Sequence, residues 1–560
     1  METTSRLKSL IAFPILTGLL IGTSYIPFPP WAILFGIAPL AVAWFRMAKT
    51  SSSTMTSREL RLFVLKGFFL GWLAQFILNA IGFHWIATTA TEFGHFPMWA
   101  GVLTLAAFCA LAHIYYGLSG ALALYLFKKL ENRGVQLSAV PFVTLVFALF
   151  ALIENLWPSI FPWHLGYTWL WAGFPGAQFS DVIGFEGLNL VTLACNALFA
   201  IGWIRWAGSE KTFLERARPS ARWIVCGLAL FLLVNIAGLG RGQPWSEGTE
   251  DLKILIVQGN IGNYEKLIVE QQKNFSIPIV ATYLRLTGEG FDAHPDAQFA
   301  LWPETAYPDY LDASFQTEAN WRSLQKFSML RKKTILTGGY SHDFTKKETY
   351  NAFFGMSPEG GLIGSPYRKS ILIPFGEKFP FSDVIPYMKW LFPGLGSFGQ
   401  GGGPTVMDIG AFKLGPQICL ESLYPAFSAS MARQGAEVFS NVTNDSWFGT
   451  TFEPYQHMTM TLARAVENRR PLLRSTNTGI TTVALADGTV LEKSPIAKEW
   501  VGYYKVPFKK NPPVVLYSKI AGYTPWFALL VLIGTLLGSL FRGRRKDGRK
   551  DGRKPEARQI

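Results

Sequence analysis

Three residue types, each placed where an apolar run ends, could do covalent chemistry in this chain. Phe412 to Ile418 reads as a buried strand that delivers one thiol to a sharp turn, within Gly415-Pro416-Gln417-Ile418-Cys419-Leu420-Glu421-Ser422. A cysteine is nucleophilic as its thiolate, so it needs a base or a positive charge close by. Two upstream stretches supply such partners. Ala300-Leu301-Trp302-Pro303-Glu304 ends a strand on a carboxylate, and Pro366-Tyr367-Arg368-Lys369-Ser370 carries a lysine closely followed by Pro374-Phe375-Gly376-Glu377. A carboxylate, a lysine and a thiol, in that order, are the parts of a nucleophilic triad. The other cysteines, Cys109, Cys195 and Cys226, fall in apolar runs as small buried side chains, so neither a disulfide framework nor a metal site is indicated.

The elements that must position these groups are not those of a soluble enzyme. Of 560 residues 49% are hydrophobic and the mean hydropathy is positive, so part of the chain belongs in lipid. Apolar runs lie near 8–26, 30–46, 62–85, 98–127, 136–157, 185–206, 222–240 and 523–541. Most reach the ~20 residues that cross a bilayer as helix; the first two are interrupted by Pro and Gly. The N-terminal run follows Arg6 and Lys8 but no small-residue cleavage site succeeds it, so it reads as an uncleaved first span rather than a signal peptide.

The formal charge of +14 is not spread over one face, as a nucleic-acid surface would be; it is clustered between apolar runs. Arg46, Lys49, Arg58, Arg61 and Lys66 fall in one connector, Lys128, Lys129 and Arg133 in the next but one, and Arg205, Lys211, Arg216, Arg218 and Arg222 in a third. The tail from Arg542 to Arg558 holds nine more Lys and Arg. By the positive-inside rule these are cytoplasmic, both termini with them, and 241–522 lies outside the cytoplasm. The expected organisation is a seven-span bundle (1–240), a catalytic domain (241–522), a final span (523–541) and a basic tail (542–560). The connector from Trp157 to Phe185, rich in Trp, Tyr and Phe, reads as an interfacial belt, with a lipid-access surface as the alternative. Among polar groups in or near the spans, Glu154, Asn155, His84 and His113 receive no catalytic role.

From Leu252 the pattern changes to short apolar strands broken by Gly, Pro and Asn: 253–258, 297–302, 334–339, 415–419 and 437–441. Helical stretches near 264–287, 314–332, 425–435 and 455–470 separate several of them, which predicts an α/β domain with its site at the strand ends. The Gly399 to Gly403 run lacks the context of a phosphate loop and reads as a flexible segment.

The motifs of this domain, in their order between the last two spans, resemble the apolipoprotein N-acyltransferases, bacterial inner-membrane enzymes of the nitrilase superfamily. They are Val257-Gln258-Gly259-Asn260-Ile261, Trp302-Pro303-Glu304, Tyr367-Arg368-Lys369, Pro374-Phe375-Gly376-Glu377, Ile418-Cys419-Leu420-Glu421 and Ser440-Asn441-Val442-Thr443-Asn444-Asp445-Ser446-Trp447-Phe448-Gly449. Pro454-Tyr455-Gln456-His457, Ala463-Arg464 and Arg474-Ser475-Thr476-Asn477-Thr478-Gly479 continue the likeness, which covers essentially the whole chain. Two departures stand out: Leu420 follows the nucleophile where the family usually has Tyr, and Lys266-Leu267 stand where it commonly has Trp.

The resemblance implies a transmembrane helical bundle of about eight spans, plus an extramembrane nitrilase-like α/β domain built as an αββα sandwich. It also implies ping-pong acyl transfer. Glu304 would take the proton of Cys419, whose sulfur attacks a phospholipid ester, while Lys369 stabilises the oxyanion. The amine of a diacylglyceryl-cysteine at an apolipoprotein N-terminus would then take the acyl chain from the thioester. Phosphatidylethanolamine is the expected donor, and no metal or cofactor is implied. Glu377 and Glu421 either orient Lys369 or the incoming amine, or serve as structural partners. Tyr387-Met388-Lys389-Trp390-Leu391-Phe392-Pro393 is a candidate membrane-touching arm, with core packing as the alternative. The rival functions are a membrane-tethered carbon–nitrogen hydrolase, and a transporter or scaffold carrying a catalytically dead binding module.

Overall fold

The computed structural model describes residues 2–52, 55–94, 97–207, 213–262, 276–312, 319–374, 376–378 and 398–550. Lys266-Leu267 and the stretch Tyr387–Pro393 lie outside the described residues. Up to Gly238 the chain is helical, and strands begin at Glu250. Among the described residues six segments are long and apolar enough to cross a membrane: Ser57–Gly82, Met98–Glu131, Ala139–Leu156, Pro175–Ala207, Ala217–Trp245 and Thr524–Phe541. Of the first two expected spans, one forms the helix Glu2–Gly22, apolar only over Leu10–Gly22, and the other the shorter helix Ala38–Thr50. Pro27, Pro29 and Pro30 cannot continue a helix, and the chain between these two helices runs as turns.

The aromatic connector departs from the belt reading. Trp163, Tyr167 and Trp169 are buried, and the two indoles donate to His113 Nε2 (2.5 Å) and Thr192 Oγ1 (2.9 Å). A buried Trp needs a partner for its N–H, and the bundle supplies one for each.

The strands form two sheets. In the first, β1 (Glu250–Gln258), β2 (Phe299–Leu301), β3 (Thr334–Asp343), β4 (Glu348–Met356), β5 (Tyr367–Arg368) and β11 (Trp500–Phe508) take the order β11-β1-β2-β3-β4-β5. In the second, β6 (Met407–Asp408), β7 (Lys413–Ile418), β8 (Val438–Thr443), β9 (Leu472–Thr476) and β10 (Thr482–Ala484) take the order β10-β9-β8-β7-β6. Side chains alternate across a strand, and β1 shows the result. Ile254 and Ile256 join a core shared with Ile418, Val442 and Leu472 of the other sheet. Leu255 and Val257 join a separate core with Ile279 and Tyr283 of the helix Ser276–Ala293 and Trp321 of the helix Ala319–Arg331. The helices Pro425–Arg433 and Glu453–Asn468 pack on the second sheet, giving the helix–sheet–sheet–helix layering.

The helix Glu453–Asn468 also docks the domain on the bundle, which is why nearly every residue in it is buried. Gln456 Nε2 donates to the carbonyls of Ile26 (2.8 Å) and Gly82 (2.9 Å), and its Oε1 accepts from Trp85 Nε1 (3.1 Å). Arg464 Nη2 donates to Tyr167 OH (3.1 Å), and Glu467 Oε1 accepts from the Phe185 amide (2.8 Å). Arg469, one residue beyond the helix, forks onto Asp181 with two 3.0 Å bonds. Buried polar groups are tolerated when paired, and these pairs fix how sandwich and bundle meet.

Candidate active site

Glu304 lies just beyond β2 and Lys369 just beyond β5, both in the first sheet. Cys419 follows β7 in the second, so the facing of the two sheets brings the three together. Lys369 Nζ sits 3.1 Å from Glu304 Oε1 and 2.8 Å from Glu377 Oε1, with the lysine fully buried. Both carboxylates and the ammonium act electrostatically on the Cys419 thiol. Of the five residues expected at the site, four therefore converge on one point.

Each is held by local structure. Cys419 has φ +53°, a left-handed conformation that costs a non-glycine residue energy and here turns the chain sharply out of β7. Its carbonyl accepts from Asn441 Nδ2 (3.0 Å) and Ser422 Oγ (3.1 Å). Glu304 Oε2 accepts from the Asn444 amide (3.0 Å), and Glu377 Oε2 from the Ile373 amide (3.0 Å). Gly338 makes room for the Glu304 turn, since a Cβ there would lie 2.8 Å from Glu304 Cα and 2.8 Å from the Pro303 carbonyl. The described part of the glycine run is pinned rather than loose: Gly399 and Gly401 donate to the carbonyls of Thr349 and Lys369, both at 2.8 Å. A side chain on Gly401 would strike the Arg368 carbonyl at 2.0 Å.

Glu421 is placed differently. Its Oε1 accepts from the Ser370 amide (2.7 Å), Ser370 Oγ (3.0 Å) and the Ile371 amide (3.2 Å), and its Oε2 from the Ile418 amide (2.8 Å) and Tyr367 OH (2.8 Å). That carboxylate ties the nucleophile turn to the lysine segment. The sequence alone did not single out Asn351, whose Nδ2 donates to Glu304 Oε1 (2.7 Å) and Glu377 Oε1 (3.0 Å) while its carbonyl accepts from the Lys369 amide (2.8 Å). Its signal was available: a lone amide inside the strand Tyr350-Asn351-Ala352-Phe353-Phe354.

Burial pushes the Cys419 thiol well above its ordinary range and the charge of Glu304 adds to this, while Lys369 and a hydrogen bond with Thr443 pull the other way. The thiol is therefore protonated at rest and has to lose its proton as it attacks. Burial alone would lower the Lys369 pKa, but Glu304, Glu377 and Cys419 outweigh it and hold the ammonium charged. Behind Thr443, whose Oγ1 donates to Asp445 Oδ1 (2.9 Å), lies a second charged group. Asp445, Glu453 and His457 bring potential ligand atoms within 4.8 Å of one another. Arg474 already occupies Asp445 Oδ2 at 2.7 Å, so this is a charge-paired core rather than an open cation site.

A cavity of about 580 Å³ reaches the turn that carries Cys419, at Leu420. Its walls include Leu420, Ile371, Leu372 and Pro374 from the catalytic domain, and Trp157 and Tyr167 from the aromatic connector. The pocket thus lies between the turn that follows Cys419 and the helical bundle.

Comparison with known proteins fits both halves. Residues 17–198 match the apolipoprotein N-acyltransferase N-terminal domain and residues 255–510 the carbon-nitrogen hydrolase family. An apolipoprotein N-acyltransferase of Bdellovibrio bacteriovorus is 40% identical, with 93% of this chain and 92% of the relative covered. The chain belongs to the apolipoprotein N-acyltransferase family. A second member, from Geobacter metallireducens, is 32% identical over 87% of each chain. Among solved structures, Nit3 of Saccharomyces cerevisiae, of the nitrilase superfamily, is similar over 49% of this chain and 94% of its own, at 16% identity and a TM-score of 0.36. Within this N-acyltransferase family the chain is a membrane protein with an acyltransferase's two-part architecture.

Proposed function

We propose that this enzyme transfers a fatty acyl chain from a membrane phospholipid, through a thioester on Cys419, to the amine of a diacylglyceryl-cysteine at the N-terminus of an apolipoprotein. The observation that carries the reading is the cavity that joins the turn after Cys419 to the bundle, because both substrates are anchored in lipid. Lifting an acyl chain out of a bilayer costs ~0.8 kcal/mol per CH₂, which favours chemistry done at the membrane. Phosphatidylethanolamine is the proposed donor. The membrane is the bacterial inner membrane, with 241–522 periplasmic and both termini cytoplasmic, on the charge pattern of the connectors. The proposed division of the chain is 1–240, 241–522, 523–541 and 542–560.

In the first half-reaction Glu304 takes the Cys419 proton as sulfur attacks the ester carbonyl. An ammonium has three N–H donors; Glu304 and Glu377 occupy two on Lys369, and the third is turned to the oxyanion, together with the backbone N–H of Leu420. Collapse breaks the ester C–O bond, the proton on Glu304 passes to the departing alkoxide, and a lysophospholipid leaves. In the second, the free amine attacks the thioester, Glu304 takes its proton, and thiolate departs and is reprotonated. Glu377 holds Lys369 in place, and Asn351 holds both carboxylates.

The test is the intact mass of the purified protein after incubation with phosphatidylethanolamine, beside Cys419→Ala. An acyl mass on the wild type alone, removed by hydroxylamine, is the expected result. Steady release of free fatty acid or ammonia without an adduct would replace this reading with the membrane-tethered carbon–nitrogen hydrolase.

A further inference from the structure

Two carboxylates on the bundle side of the cavity have no task in the chemistry above. Glu154, at the end of the helix Ala139–Leu156, and Glu186, in the helix Ser180–Ala207, both line it, and no Lys or Arg among the described residues does. Glu154 is steadied by Asn189 Nδ2 (2.6 Å) and Tyr115 OH (3.4 Å), and Glu186 by Tyr517 OH (3.3 Å). Neither has an ion pair among the described residues. The near guanidinium, Arg464, donates to Tyr167 OH and is matched by Glu467 at 3.2 Å, so Glu154 and Glu186 are left without a directly bonded cation among the described residues.

Further cavity-lining groups point to the same kind of ligand. Asn189 is 3% exposed, and because its amide nitrogen must face the Glu154 carboxylate, the atom left over is Oδ1, a buried acceptor without a partner among the described residues. Both ring nitrogens of His164 are likewise buried without partners, and the ring stacks on Tyr167 with centroids 4.1 Å apart. Burial drives the His164 pKa down to about 3, so the imidazole is neutral and presents one nitrogen as an acceptor. Two carboxylates, an amide oxygen and an imidazole nitrogen together are a set of acceptors that wants a positively charged donor. Unpaired buried acceptors cost free energy that such a ligand recovers.

We propose that this end of the cavity is an ammonium subsite, and that it seats the headgroup amine of the acyl donor while the ester lies toward Leu420 and Cys419. The inference rests on the acyl-transfer reading above and deepens it: donor choice is set by Glu154, Glu186, Asn189 and His164 on the bundle, away from the triad. An ammonium with N–H donors suits the site better than a trimethylammonium, and both suit it better than an uncharged headgroup. The acceptor lipoprotein also carries an amine, so the test has to separate the two sources.

The experiment is lipid competition on the full chain carrying Cys419→Ala, read by native mass spectrometry from nanodiscs holding equal phosphatidylethanolamine and phosphatidylglycerol. Retention should favour phosphatidylethanolamine by about tenfold, and Glu154→Gln with Glu186→Gln should bring the ratio close to one. Should the double variant fail to fold, Glu186→Gln alone, at a half-buried position, should cut the preference by about threefold. Equal retention of the two lipids by the Cys419→Ala protein, or a preference that survives in a folded variant, overturns the subsite. Unchanged lipid preference, with the same carboxylate substitutions in the protein that keeps Cys419 slowing deacylation of a preformed acyl-enzyme by an amine acceptor, also overturns the assignment, giving the ammonium to the acceptor. A clear phosphatidylethanolamine preference in a protein whose wild type never acquires an acyl mass supports the subsite and instead sinks the acyl-transfer reading.

Discussion

Glu421→Gln separates a residue that positions the site from one that does chemistry. Glutamine keeps the shape but offers one acceptor where the carboxylate offers two. The better fit keeps the carbonyl oxygen toward the three donors from Ser370 and Ile371, and turns the NH₂ toward Ile418 and Tyr367. Tyr367 can rotate its hydroxyl and accept, but the Ile418 amide is left facing a donor, which costs about 1–3 kcal/mol. The three retained bonds lose their ionic partner and roughly half their strength. Part of this is returned, because burial already holds the Glu421 carboxyl above its ordinary range and a neutral group avoids that penalty. The net expectation is about 2–4 kcal/mol of destabilisation, centred where the Cys419 turn meets the Lys369 segment. Thermal unfolding followed by tryptophan fluorescence should shift down, and acylation measured by intact mass should fall in step with the loss of folded site. Acylation lost by a hundredfold or more, with the unfolding midpoint unmoved, would refute the reasoning and place Glu421 in the reaction itself.

Three further outcomes follow from the same geometry. Asn351→Leu removes the amide donor that, beside Lys369, bonds both Glu304 and Glu377, worth about 1.5–3 kcal/mol for charge-assisted bonds, so the acylation rate should fall by roughly 10–100-fold; an unchanged rate would show that Lys369 alone aligns the carboxylates. Gly338→Ala forces a Cβ to within 2.8 Å of Glu304 Cα, and a cost of about 1–3 kcal/mol with loss of acylation is expected, checked by unfolding and thioester assays on the same sample. Burial lifts Glu453 to about 7 from 4.5, against opposing contributions from His457 and Arg474. Between those values the folded chain holds a proton the unfolded chain has released, so stability falls as pH rises across that window. Burial and Arg474 would lower the pKa of His457, but Asp445 and Glu453 raise it overall, so its contribution is also lost as pH rises through its folded value. Glu453→Gln should flatten the decline in unfolding midpoint between pH 5 and pH 7 relative to the wild type, and an identical slope would count against the assignment.

What could be read from the chain was what lies close together along it. Cys419, Glu304 and Lys369 each stand at the end of an apolar run, and strand ends are where such sheets place ligands. The helix Glu453–Asn468 and the strand Val438–Thr443 fall within a few residues of expectation for the same reason. Gly338 and the Asn444 amide were not legible, because they act on Glu304 from 34 and 140 positions away, and Asn351 showed only as a lone amide in a strand, with nothing along the chain to say which carboxylates it serves. The aromatic connector misled for a physical reason: Trp and Tyr favour a membrane interface and also favour a core that satisfies their polar ends, and composition does not separate the two. Trp163 and Trp169 found such partners in His113 and Thr192. Between the first two expected spans Pro27, Pro29 and Pro30 turn the chain, a local effect that hydropathy does not register.

The placement of charge around Cys419 also bears on why an acyltransferase should be built this way and a hydrolase not. With Glu304 as the proposed base, a thiol held protonated by burial reacts only when a carbonyl is already in place, so the resting site is protected from stray electrophiles. On the proposed reading a thioester forms for which water and amine compete, and Cys419 at 4% exposure gives bulk water little approach. An amine tethered to the same bilayer has a far higher local concentration than one free in solution. On the proposed reading, selectivity for amine over water comes less from the triad, which a hydrolase could share, than from the cavity that joins it to the bundle. Opening that cavity toward solvent should convert transfer into hydrolysis. Leu420→Gly together with Ile371→Ser removes two of its apolar walls without touching Glu304, Lys369 or Glu377. The ratio of free fatty acid to acylated amine should rise in that variant, and a ratio that stays fixed while both products fall would mean that water is excluded by the triad itself.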